Sequence, residues 1–199
     1  NSDERPGALL QVVDKDGNVV EEWISTDQPH EIVAKLVVDE SYVLREVRPA
    51  DGWAYAEDVP FKVSHDGTVD YVKMEDKPTH VVISKQEITG SKELPGCTLQ
   101  VIDKNGNVVD EWVSTDQPHE IKEKLIADEE YTLREVRPAD GWAYAEDIPF
   151  KVSHDGTVDQ VKMEDKPTHV VVSKKKITGK EELPGCHLVI KDKNGNVDE

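Results

Sequence analysis

Three ionisable side chains, Lys85, Glu135 and Asp165, stand where charges are rarely found. Each lies in a short apolar run in which alternate side chains point to one side of a strand. The rule groups Lys85 with Val81 and Ile83 in H-V-V-I-S-K, Glu135 with Tyr131 and Leu133 in Y-T-L-R-E-V, and Asp165 with Val161 and Met163 in V-K-M-E-D. All three therefore point inward, and one cation shares a core with two acids. An uncompensated buried charge costs on the order of several kcal/mol. The arrangement calls for an ion network or for chemistry that removes the charges, and the second reading is favoured here.

The elements that must position these residues are repeated. Glu46 and Glu135 lie 89 residues apart, and the same offset relates Asp76 to Asp165 and Lys85 to Lys174. Long shared runs (S-T-D-Q-P-H-E-I, L-R-E-V-R-P-A-D-G-W-A-Y-A-E-D, F-K-V-S-H-D-G-T-V-D) fix the register. Three segments result. Residues 1–78 form a repeat without the segment that carries the lysine, 79–166 form a complete one, and 167–199 restart a third through its first two strands. Only the middle copy holds all three residues.

Within it, alternating apolar runs separated by turn residues predict strands near 80–86, 98–103, 108–113, 120–125, 131–137, 148–152 and 158–163. So many short strands in so short a repeat read as an all-β sandwich. H-E-I-K-E-K-L-I-A (residues 119–127) fits a helical turn or a strand, and its shortness favours the strand. Asn105-Gly106 and Asp155-Gly156 are expected to be tight hairpin turns. The connections Lys77-Pro78-Thr79 and Lys166-Pro167-Thr168 are short and proline-stiffened, which implies beads in a stiff row.

Composition narrows the function. The net charge of −18 repels nucleic acid and anionic lipid, so neither a nucleic-acid partner nor membrane insertion is expected. No apolar run is long enough to span a bilayer, and any signal peptide or anchor is expected outside the sequence. Cys97 and Cys186 occupy one repeat position, where the first copy has Ala8. They read as core thiols rather than a disulfide or zinc site. The histidines (30, 65, 80, 119, 154, 169, 187) show no ligand spacing and read as surface residues. D-K-N-G and D-K-D-G bring glycine too early for a calcium loop. No metal and no cofactor are expected.

The middle repeat, T-H-V-V-I-S-K, E-L-P-G-C-T-L-Q-V-I-D-K-N-G-N-V-V-D-E-W, Y-T-L-R-E-V-R-P-A-D-G-W and V-K-M-E-D-K-P-T, resembles the CnaB (SpaA-type) domains of Gram-positive surface adhesins and pilins. Its most specific piece is E-V-R-P-A-D-G-W, present at 135–142 and at 46–53. The resemblance implies a reversed immunoglobulin, prealbumin-like sandwich. It also implies a spontaneous isopeptide bond from Lys85 to Asp165, with Glu135 as catalyst and water as the leaving group. Glu46 and Asp76 hold the same positions in the first copy. The chemistry is physically reasonable, because an amine attacks only when neutral and burial favours the neutral forms of amines and carboxyls. A protonated Glu135 would polarise the aspartyl carbonyl and shuttle protons. Folding supplies proximity, which can be worth effective molarities of roughly 10⁵–10⁸ M.

The expected function is a stalk or shaft segment on a bacterial cell surface, extracellular and self-crosslinking, and not a turnover enzyme. Its partners are neighbouring copies of the same repeat. Lys174 in the C-terminal strand is a candidate to bond Asp76 of another chain head-to-tail. The alternative is a ligand-binding adhesin module, against which the near-identical Trp53 and Trp142 loops argue. A glycosidase would need its carboxylate pair in an open cleft, not on a core face.

Overall fold

The computed structural model describes residues 4–197. They contain eleven strands: β1 (Leu9–Asp14), β2 (Val19–Ile24), β3 (Ser41–Arg48), β4 (Val59–Lys62), β5 (His80–Glu87), β6 (Thr98–Asp103), β7 (Val108–Val113), β8 (His119–Lys122), β9 (Glu130–Arg137), β10 (Ile148–Lys151) and β11 (Asp159–Asp165). The fold is all-β, and no described helix is long and apolar enough to cross a membrane. Residues 1–167 form one compact unit and 168–199 another.

The second repeat is a two-sheet sandwich, one sheet ordered β10-β9-β6-β7 and the other β11-β5-β8. Inward side chains of both sheets, among them Val81, Ile83, Leu99, Leu133 and Met163, form one core. The strands follow the β-branched and aromatic runs that suit a pleated, half-buried surface. β5 is the central strand of its sheet, parallel to β11 and antiparallel to β8. The stretch after His119 is a strand, as alternation suggests, but it ends at Lys122. Glu123 there takes φ +53, which breaks the ladder before the buried Leu125.

One turn expectation is corrected and the other holds with a different geometry. Asp155-Gly156 is not a hairpin turn, because β10 pairs with β9 and β11 pairs with β5, so the turn carries the chain from one sheet to the other. Asn105-Gly106 does join the hairpin β6–β7, but only the glycine has positive φ, at +85. The turn is instead closed by Asp103, whose Oδ1 accepts from the Asn105 and Asn107 amides at 2.9 and 2.8 Å.

The first repeat has the sheet β2-β1-β3-β4 alone. Its counterparts of β8 and β11 form no strand, although Ile32, Leu36, Val72 and Met74 still pack against Val12, Tyr42 and Leu44. A strand forms only against a neighbour that takes up its backbone hydrogen bonds, and the strand between those two segments is missing from the described residues. Among the described residues of the 168–199 unit there is likewise no strand, only the bridges Lys175–Glu182 and Lys191–Val197. Val170, Val171 and Val172 stand exposed there.

Candidate functional site

Lys85, Glu135 and Asp165 arrive on three different strands, β5, β9 and β11, and all three are buried. Alternation therefore placed each of them on the correct face. In the parallel ladder Met163 lies opposite Lys85, so Asp165 stands two residues further along the same face. Diagonal neighbours at that spacing are within reach of a long side chain. Lys85 Nζ donates a hydrogen bond to Asp165 Oδ1. Glu135 comes from the other sheet and brings its Oε1 to 2.9 Å from Lys85 Nζ.

Glu135 is anchored by one oxygen and points the other at the lysine. Its Oε2 accepts from the Ala145 amide at 2.9 Å, just past the E-V-R-P-A-D-G-W run. Its Oε1 makes no well-aligned hydrogen bond, which leaves that oxygen available to relay a proton. Burial raises the pKa of Asp165, outweighing the hydrogen bond from Lys85, and the charge of Glu135 pushes it the same way. The lysine backbone is fixed as well: its amide donates to Glu93 Oε2 at 2.9 Å, and its carbonyl accepts from Leu94.

The arrangement balances for one reaction. The Lys85 amine would attack the Asp165 carboxyl carbon, two of the ammonium protons would leave with a carboxyl oxygen as water, and an amide would remain. Glu135 can take and return the proton in transit. Burial of the reactants inside the sandwich excludes the water that would favour hydrolysis.

Cys97 adjoins the trio, with its Sγ 3.7 Å from Asp165 Oδ2. Burial raises the thiol's pKa, as suits the core residue expected at this position. Sγ and carboxylate oxygens of Cys97, Glu135 and Asp165 lie within 4.8 Å of one another, a spacing a metal ion could use. Lys85 already supplies the positive charge there.

The first repeat presents the acids without a strand-borne lysine. Glu46 is buried, with Oε2 accepting from Ala56 at 2.8 Å and Oε1 unbonded. Burial pushes its pKa up to about 7, and nearby Asp76 adds to the rise. Asp76 is half-buried and its pKa is raised by desolvation. Lys174 lies in the 168–199 unit, where Leu183 and Glu182 bond its backbone as Leu94 and Glu93 bond that of Lys85.

Several histidines are more than surface residues. His30 stacks on Trp23 at 4.3 Å and His119 on Trp112 at 4.1 Å, each also paired with an acid, Glu21 or Asp110. The Trp-to-His spacing recurs in both copies, a signal that a search for metal-ligand spacing passes over.

Among solved structures, the Bacillus anthracis TIE protein is similar to the whole of this chain at 18% identity and a TM-score of 0.50, and the chain spans 38% of its length. The shaft pilin SpaA of Lactobacillus rhamnosus GG is similar over 84% of this chain and 90% of its own, at 12% identity and TM-score 0.41. A C-terminal fragment of the pilus adhesin SpaC from the same organism aligns with 83% of this chain and 91% of its own, at 14% identity and TM-score 0.43. No curated protein matches the chain. The family model described as SpaA, prealbumin-like fold domain, matches residues 1–78 and again residues 79–167. The chain therefore belongs to the SpaA family of prealbumin-like domains.

Proposed function

We propose that the chain is a structural shaft segment of an extracellular bacterial surface adhesin or pilus, and that its second repeat locks itself with an amide between Lys85 and Asp165. The observation that carries this reading is the buried contact of Lys85, on the first strand of the repeat, with Glu135 on β9 and with Asp165 on the last strand. A purely structural ion network would strand three charges in a core for no gain over apolar packing. Membership of the SpaA family and the tandem arrangement support the same role. The test is intact mass, expected to fall one water below the sequence mass, with Lys85 and Asp165 joined in a digest. The full sequence mass, or a free Lys85 amine, would refute the bond. Glu135→Gln should leave the fold and slow or abolish the bond.

A head-to-tail link between chains is the finer part of the proposal. Glu46 keeps a buried oxygen with no hydrogen bond, and the exposed run 170–174 repeats residues 81–85 of β5 except for Val172 in place of Ile83. A strand of that sequence added to the first repeat would bring Lys174 beside Glu46 and Asp76. Such a heterologous contact propagates unless it closes into a ring. Boiled samples on a denaturing gel should show a ladder that disappears in Lys174→Ala; a single monomer band rules the link out.

A further inference from the structure

The junction between the two repeats is a built contact. Tyr55 of the first repeat stacks on His154 of the second, with centroids 4.1 Å apart and ring planes 12° from parallel. The Tyr55 amide donates to the His154 carbonyl at 2.9 Å. Ala54 is fully buried beneath Gly156, where a Cβ added to the glycine would lie 3.3 Å from that of Ala54. Lys77 faces the same turn, where a Cβ added to Gly156 would lie 2.7 Å from its own. Asp128 holds His154 in place through Nδ1 at 2.6 Å.

Both halves of this contact occur twice in the sequence. G-W-A-Y-A-E-D stands at 52–58 and at 141–147, and S-H-D-G-T-V-D at 64–70 and at 153–159. The first copy of the former and the second copy of the latter cover each other. The remaining copies are open: Ala143 and Tyr144 are exposed, Tyr144 at 66%, and His65 to Val69 are exposed on the first repeat. His65 is held by Asp39 as His154 is by Asp128, so the turn is presented in the same form.

We propose that the Ala143–Tyr144 face of the second repeat docks the Ser64–Thr68 turn of a second copy of this chain, with Tyr144 stacking on His65 and Lys166 facing Asp66. The occupant follows from identity, since each open surface has the sequence of one whose partner is already seen. Lys166 holds the repeat position of Lys77, and Asp66 that of Asp155. Both chains are strongly acidic, so docking strengthens as salt screens their repulsion. This contact goes beyond the Lys174 crosslink and needs no covalent step.

The test is an amide NMR titration of the labelled full chain with unlabelled chain, repeated at higher salt. The amides of Ala143 and Tyr144 and those of Ser64–Thr68 should shift together as concentration rises. Tyr144→Ala and His65→Ala should each remove the shifts at both faces, while Lys174→Ala should leave them. Absence of concentration-dependent shifts would overturn the proposal, as would shifts that survive Tyr144→Ala or appear at only one face. Shifts lost in Lys174→Ala would assign the association to the crosslink and equally overturn the docking.

Discussion

The two repeats share most of their sequence, yet one is a two-sheet sandwich and the other a single sheet flanked by segments that form no strand. Their counterparts of β8 and β11 differ little in sequence, but they are strands only where β5 lies between them. Strand character here belongs to the pairing rather than to the segment, as expected if β propensity reflects fit to neighbours more than backbone preference. The acids show the same dependence. Asp165 meets Lys85, whereas Glu46 and Asp76 face each other's charge with no strand between them.

The largest effect that would test this contrast is expected from Lys85→Ala. Calorimetry of the parent chain should show two transitions, the first repeat melting below the second. The substitution prevents the proposed amide and leaves two buried acids without their cation, at a cost of about 3–5 kcal/mol. That corresponds to a fall on the order of 20 °C in the upper transition, at about 4–8 °C per kcal/mol. The two transitions should then approach each other. A single transition in the parent chain would break the comparison at its root.

The next effect is in pH. Burial pushes the Glu46 pKa up to about 7 in the folded repeat, from 4.5 in an unperturbed chain, so the folded state holds its proton more tightly than the unfolded. The stability this confers is complete below pH 4.5 and is lost as pH rises through about 7, by up to about 3 kcal/mol. The lower transition should fall across that window, and Glu46→Gln should flatten its slope. A lower transition that rises from pH 4.5 to 7 would contradict the buried, unpaired state of Glu46.

The smallest effect compares one substitution at two equivalent sites. Gly52 and Gly141 have φ of +84 and +87, so alanine strains both by about 1 kcal/mol. At Gly52 the new Cβ would also fall 2.4 Å from the Glu123 carbonyl oxygen, whereas at Gly141 it meets no atom within 4 Å. Gly52→Ala should therefore cost more than Gly141→Ala in denaturant melts and should loosen the junction. Equal losses would show that the junction contributes nothing.

Much of this was legible in the sequence. Alternation in β5, β9 and β11 placed all three reactive side chains on buried faces, because a one-residue slip would have turned them to solvent. What alternation cannot show is which strands pair, and so Asp155-Gly156 looked like a hairpin turn when it is a crossing between sheets. The histidine stacks were illegible for a similar reason. Trp112 and His119 meet only after the chain has turned between them, and the recurring Trp-to-His spacing does not by itself give that turn.

The parallel pairing of β5 and β11 has a consequence for load. The chain enters the second repeat at Thr79, directly before β5, and leaves it at Lys166, directly after β11. Tension along a row of such repeats pulls the start of one strand against the end of its parallel neighbour. All the register from Val81–Asp159 to Glu87–Asp165 is then sheared at once rather than unzipped pair by pair. With the amide formed, force passes from β5 to β11 through one covalent bond, and the 79 residues between Lys85 and Asp165 lie outside its path.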